Sequence, residues 1–342
     1  MRMYLPLQDS PVLPEDAPAQ LSNIPSRFVV LSWGVAMTVG LVARPHLAAF
    51  DGSAAFGAAA DMAAVEPQAL SHKVSSVGLL APVVFYVGLI MYCTPFLLFG
   101  YNHAKGYKDF VGMMEGFGLP LPSVFAVGGL VSLLLGPVLL LTLNPLLVFI
   151  GSKLVGIFLI FSTYFGHIIP LKKAEPGSGD YIGNFIMVLK NTGLLGIDFF
   201  TAWDLTGPAF TPIHKFTFAG VYFGLVLYCI AFIMPCVNHA KDFKGFVSMM
   251  EAFGLPQPQL MAVGGLLALG GGSVLILLAQ PLTMALGALM ILSFLIGATY
   301  LGHYKPMKAA TVGSADWIMH FLNVYKNVGL MGGALIILGL FA

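Results

Sequence analysis

The sequence predicts an all-α, polytopic membrane protein of two parallel four-helix repeats, with about eight to nine transmembrane helices in all. Three observations predict it. Only 9% of the 342 residues are charged and 58% are hydrophobic, against about 25% charged in an average soluble domain. The mean hydropathy is +0.89, and the apolar residues fall in blocks near the ~20 residues that cross ~30 Å of hydrocarbon. The second half of the chain also repeats the first at a constant offset. The 40 glycines fit the same class, because lipid-immersed helices satisfy their backbone groups internally and carry more glycine than soluble ones.

The repeat is read directly. Asn102-His103-Ala104-Lys105 returns 136 residues later as Asn238-His239-Ala240-Lys241. The same offset carries Met113-Met114-Glu115 onto Met249-Met250-Glu251, and Gly118-Leu119-Pro120 onto Gly254-Leu255-Pro256. It also carries Tyr164-Phe165-Gly166-His167 onto Tyr300-Leu301-Gly302-His303, and Lys190-Asn191 onto Lys326-Asn327. From Asn102 to Leu130, 20 of 29 positions are identical to their partners, and no gap is needed from Tyr86 to Leu194. A tandem duplication is the reading this supports.

The chain divides into an N-terminal part, 1–76, and two four-helix repeats, 77–206 and 207–342. Met1 to Arg27 holds Asp9, Glu15, Asp16 and five prolines, which fits neither a signal peptide nor an acidic-poor transit peptide. Any targeting sequence is therefore expected to be removed or internal. Phe28 to Val42 is a short apolar run that would make a ninth span, and Ala43 to Ser76 reads as an exposed loop. The first repeat predicts spans at Val77–Gly100, Leu121–Leu143, Pro145–Ile169 and Tyr181–Phe200. Their counterparts are Phe216–Pro235, Leu260–Ala279, Leu282–Gly302 and Trp317–Phe341.

Between the first two spans of each repeat, Tyr101–Pro122 and Val237–Pro258 mix charges with apolar residues at helical spacing. Phe110, Met113, Met114 and Phe117 share a side, which predicts an amphipathic helix at the interface, either on the membrane surface or capping the bundle. Gly118-Leu119-Pro120 is expected to end it and turn the chain back. Gly264-Gly265 and Gly270-Gly271-Gly272 sit inside an apolar run and read as helix-packing positions.

If the first apolar run spans, ten loop Lys and Arg residues fall on one face (Arg2, Arg27, Lys105, Lys108, Lys172, Lys173, Lys241, Lys244, Lys305, Lys308). The other face receives three, Arg44, Lys73 and Lys215. The N-terminus and the His/Lys loops should then face the cytoplasm, or the stroma or matrix of an organelle. A net charge of +1 and the lack of any long basic run exclude nucleic acid as a partner class.

Lys190 and Lys326 carry the sharpest chemical signal. Each lies about ten residues into a span opened by Asp180 or Asp316, so ~15 Å of rise places its ammonium near mid-membrane. Ionisable residues at that depth usually face the bundle interior and have a partner. Glu115 and Glu251 are the expected carboxylates, with His103, His167, Tyr164, Asn191 and their copies His239, His303, Tyr300 and Asn327 supplying hydrogen bonds. Asn102, Lys105, Asn238 and Lys241 complete the polar set. It reads either as a structural network or as a site for a ligand, with lipid, quinone or pigment as possible occupants. Lys153, whose copy is Leu289, reads as a snorkelling anchor. Cys93, Cys229 and Cys236 lie in apolar runs as small buried hydrophobes. No metal-ligand spacing, nucleophile elbow or phosphate loop occurs, so the sequence points to no metal and away from an enzyme.

These motifs resemble the DoxX-like superfamily of four-helix membrane proteins. The resemblance lies in an apolar helix ending in a His-and-Lys loop, Asn102-His103-Ala104-Lys105, a Phe-containing amphipathic stretch, Gly118-Leu119-Pro120 before a glycine-rich helix, and Lys190-Asn191-Thr192-Gly193-Leu194 as the motif that opens the fourth helix. It covers about 260 residues, as two fused copies. It implies a four-helix fold per repeat and a range of roles: subunits of membrane oxidoreductases that use quinone, cargo receptors and assembly chaperones. Many bacterial members carry a glutamate where this chain has Ser132 and Ala268, which weakens the redox role. The expectation is a non-catalytic integral membrane subunit with a structural or assembly role in a larger complex, of respiratory or photosynthetic type, contacting other membrane subunits, lipids or cofactors. A quinone-interacting oxidoreductase component and a transporter or cargo receptor are the alternatives.

Overall fold

In a computed structural model, which describes residues 80–210 and 214–341, the described chain is helical and holds eight helices long and apolar enough to cross a membrane. The expected span at Phe28–Val42 and the loop at Ala43–Ser76 lie outside the described residues. The first repeat runs α1 (Leu80–Lys105), α2 (Tyr107–Gly116), α3 (Pro122–Leu140), α4 (Pro145–Thr163), a π-helical turn (Tyr164–Ile168), α5 (Ile169–Lys173) and α6 (Gly179–Phe210). The second runs α7 (His214–Lys241), α8 (Phe243–Ala252), α9 (Pro258–Leu266), a π turn (Leu267–Gly271) and α10 (Gly272–Leu277). It closes with α11 (Pro281–Thr299), a π turn (Tyr300–Tyr304), α12 (Lys305–Ala309) and α13 (Ala315–Phe341).

Local sequence explains most boundaries. Pro122, Pro145, Pro258 and Pro281 each open a helix, where the missing N–H costs nothing and the fixed φ is already helical. Asn144 caps α4 by accepting from the Leu147 amide at 3.3 Å. Gly118 and Gly254 stand at φ 71° and 70° just past α2 and α8, the left-handed conformation that ends a helix without a Cβ clash. The expected turn after the amphipathic helix is therefore present in both repeats.

Two boundaries differ from expectation. The Asn-His-Ala-Lys motifs are not loops but the last turns of α1 and α7, where His and Lys complement the negative end of the helix dipole. The fourth helix of the first repeat continues past Phe200 to Phe210, running through Gly207-Pro208.

The amphipathic helices fold inward as caps. Phe110 and Met114 of α2 are buried with Ala126 of α3, and Phe246 and Met250 of α8 with Ala262 of α9. Gly129 and Gly265 make room for the two phenyl rings: a Cβ at either position would lie 3.0 Å from the ring carbon at its tip.

The two repeats meet crosswise. The first helix of each packs along the fourth helix of the other: α1 along α13, and α7 along α6. The helices α6 and α13 also touch each other, and they are the most buried of the spans. The outer helices are α3, α4, α9–α10 and α11, whose exposed Val124, Leu135, Ile157, Leu260, Leu289 and Ile296 form an apolar rim. Small residues permit the central crossings. A Cβ on Gly88 would lie 2.8 Å from the Gly332 carbonyl oxygen, and one on Gly196 would lie 2.6 Å from that of Gly224. The expected packing role of Gly272 holds as well, since a Cβ there would sit 3.0 Å from the Gly287 carbonyl oxygen.

Candidate functional site

The helices α6 and α13 bring Lys190 and Lys326 together from opposite repeats. Lys190 lies eleven residues after Gly179 and Lys326 eleven after Ala315, so each has risen ~16 Å from its helix start. Lys190 Nζ donates to Asn323 Oδ1 at 2.5 Å, and Lys326 Nζ contacts Met187 Sδ at 3.3 Å. Asn323 and Met187 occupy equivalent positions 136 residues apart, so one contact is the pseudo-twofold image of the other. The two ammonium groups act on each other electrostatically.

The neighbouring asparagines turn outward to their own repeats. Asn191 Nδ2 donates to Thr163 Oγ1 at 2.9 Å, and Asn327 Nδ2 to Thr299 Oγ1 at 3.0 Å. A helix turns ~100° per residue, which is how Lys190 faces the other repeat while Asn191 faces α4. Asn327 is buried, and its Oδ1 has no partner. Thr299→Val would strand its amide nitrogen too. This variant should lose about 1 kcal/mol, the usual scale of an intramembrane side-chain hydrogen bond, seen as a melting temperature lower by roughly 2–4 °C.

Two imidazoles, His167 and His303, lie near the lysines. His167 Nδ1 lies 3.2 Å from Asn184 Oδ1, and His303 Nδ1 lies 3.4 Å from His320 Nδ1. Each is within electrostatic reach of the lysine of the other repeat: His167 of Lys326, and His303 of Lys190. Both histidines sit on π-helical turns, whose extra residue re-aims side chains and is frequent at functional sites.

The remaining expected residues fall elsewhere. Glu115 and Glu251 are exposed at the ends of α2 and α8, because burying Met114 and Met250 turns the next residue outward. Neutral Asn323 and Met187 take the place expected for these carboxylates. His103 and His239 stack on Phe110 and Phe246, with ring centroids 4.1 Å apart in both cases, so they anchor the caps. Lys105 lies over the Tyr101 ring at 5.5 Å. Asn102 and Asn238 are half-buried at the helix ends, Lys241 is exposed, and Tyr164 and Tyr300 are exposed on the π turns. Lys153 is exposed, with its ammonium 5.1 and 5.7 Å from the ring centroids of Phe149 and Phe199.

Sequence reasoning missed Asn323, Met187, Asn184 and His320. Their signal was present as i, i+3 and i, i+6 spacing from the two lysines, but it read as one face of an amphipathic helix. It also missed Asp198, a charge inside an apolar run with no counterpart in the second repeat.

Two ammonium groups, that of Lys326 buried and that of half-buried Lys190, meet only neutral acceptors, so the hydrogen-bonding donors of this cationic centre exceed the acceptors around it. Such a centre can hold a carboxylate, phosphate or other oxygen-rich anionic group. Among the described residues, no group of three or more His, Cys, Asp or Glu comes together to hold a metal ion. Known protein families, curated proteins and solved structures give no match to this chain.

Proposed function

We propose that this chain is a non-catalytic membrane component that holds an amphipathic anion, such as an acidic lipid headgroup, between its two repeats. The paired lysines of α6 and α13, set against neutral partners, carry the reading. A charged residue at the centre of a membrane helix costs roughly 2.5–3.5 kcal/mol even on the mildest scale, and an anion bound between two of them would offset it. The crosswise packing of the repeats supports a single shared site, and the resemblance to DoxX-like proteins fits a duplicated four-helix domain. The apolar rim of α3, α4, α9–α10 and α11 is suited to lipid and to neighbouring subunits, in keeping with an assembly or structural role inside a larger complex.

Purification in a mild detergent followed by mass spectrometry of bound small molecules tests this. The expected result is about one acidic lipid retained per chain, and a melting temperature raised by added phosphatidylglycerol but not by phosphatidylcholine. Equal responses to the two lipids would sink the reading. Retention of a quinone would move the site to the oxidoreductase alternative, and co-migration with a membrane complex on a native gel would establish the subunit role.

A further inference from the structure

The two repeats differ sharply at one place, where α4 meets α6. There the first repeat has Ser152, Gly156, Asp198 and Thr201, and the second has Ala288, Leu292, Ala334 and Ile337. All four differences point the same way, from apolar filling to oxygen donors and the space to hold them. Ser152, Asp198 and Thr201 are only 3%, 2% and 2% exposed. Ser152 Oγ donates to Asp198 Oδ2 at 3.0 Å. A Cβ on Gly156 would lie 3.0 Å from that same carboxylate oxygen, so the carboxyl occupies room that Leu292 fills in the other repeat.

Two oxygens in this niche are left open. Asp198 Oδ1 and Thr201 Oγ1 are buried without a hydrogen-bond partner. They stand three residues apart on α6, which places them on one helix face. Hydroxyls elsewhere in the bundle bond back to the carbonyl one turn earlier, as Thr94 does to Ile90, Thr192 to Val188 and Ser273 to Leu269. That arrangement satisfies a membrane-embedded hydroxyl within its own helix. Thr201 does not use it, and its oxygen stays available.

The surroundings do not fill the gap. From α1, Tyr92 and Cys93 face the carboxyl, but the hydroxyl is committed to the Leu194 carbonyl at 3.2 Å and the thiol to that of Pro137 at 3.6 Å. Lys153 acts on Asp198 electrostatically from α4, while its ammonium lies over the Phe149 and Phe199 rings. An unpaired carboxylate in hydrocarbon is too costly to leave bare.

We infer that Ser152, Asp198 and Thr201 form a site in the first repeat for one monovalent cation of the sodium class. The donors are all oxygen, which selects hard cations over thiophilic metals. A single carboxylate matches a single positive charge, whereas a divalent ion would leave net charge in the membrane. The site is separate from the lysine pair: Asp198 lies eight residues beyond Lys190 on α6, ~12 Å farther along the axis.

The test uses the full chain in detergent, melted in sodium, potassium or choline chloride at equal ionic strength, with retained sodium-22 counted in parallel. Sodium should raise the melting temperature about 3–8 °C above choline, the response to a ligand at ~10–100 times its Kd, with about one ion retained per chain. Asp198→Asn should abolish both effects. If that variant misfolds, the combined change of Ser152→Ala, Gly156→Leu, Asp198→Ala and Thr201→Ile installs the packing of the second repeat and should melt equally in all three salts. Equal melting of the unmodified chain in the three salts, as expected if a proton or Lys153 neutralises the carboxyl, would overturn the inference. So would a sodium response that survives loss of Asp198.

Discussion

Replacing Gly196 or Gly332 with valine is expected to disrupt the folded bundle, while the same change at Gly128 or Gly264 is tolerated. Gly196 and Gly332 are equivalent positions on α6 and α13, and each lies where two helix backbones cross. A Cβ on Gly196 would meet the Gly224 carbonyl oxygen at 2.6 Å and also the Tyr228 amide of α7, and one on Gly332 would meet the Gly88 carbonyl oxygen at 2.5 Å. The obstacles are main-chain atoms of a neighbouring helix, so no rotamer change relieves them. Side-chain overpacking in an ordinary core costs about 1–3 kcal/mol, and forcing two backbones apart exceeds that range while also releasing the small-residue packing that joins membrane helices. Either valine variant should lose its monodisperse peak in size-exclusion chromatography, or melt at least ~10 °C lower. A Cβ added at Gly128 or Gly264 would meet nothing within 4 Å, so these two positions control for helix propensity alone. Equal behaviour of all four variants would show that the crossings do not hold the repeats together.

The second large effect is expected from Lys190→Met combined with Lys326→Met. Methionine keeps the unbranched stem and comparable bulk but removes the charge. Without an anionic lipid, the double variant should melt higher than the unmodified protein, since it no longer buries two like charges. A gain of ~3 kcal/mol, the insertion cost of one central charge, corresponds to roughly 6–12 °C. With phosphatidylglycerol, the unmodified protein should gain stability and the double variant should not. The two opposite signs are the diagnostic. If the lysines were part of a structural hydrogen-bond network, their loss would lower the melting temperature in both conditions. Thermal unfolding of both proteins, with and without the lipid, separates the cases in one experiment.

Much of the fold was legible because membrane helices announce themselves. Every predicted span from Leu121 onward is present, with starts fixed by Pro122, Pro145, Pro258 and Pro281. The amphipathic helices followed from Phe110 and Met114 at helical spacing, and the turns from Gly118 and Gly254. The candidate site was legible in part. Lys190 and Lys326 stood out as charges inside apolar spans, and Asn191 and Asn327 as their repeated neighbours. Their partners were not legible, because a partner is a matter of which helix lies alongside. The carboxylates nearest in reading, Glu115 and Glu251, were turned away by a single residue's rotation on α2 and α8. Asn323, polar but uncharged and three residues before Lys326 on the same helix, became the acceptor for Lys190 of the opposite repeat.

By itself the sequence determined the eight spans among the described residues, most of their starts and the 136-residue repeat that relates them, because hydropathy and proline position act along the chain. Only the tertiary structure decided that each repeat's first helix lies along the other repeat's fourth helix, that the two lysines therefore meet, and that Ser152 hydrogen-bonds the Asp198 carboxyl. Those outcomes depend on close approach between helices distant in sequence, which small residues at Gly88, Gly196, Gly224 and Gly332 permit and no pattern along one helix encodes.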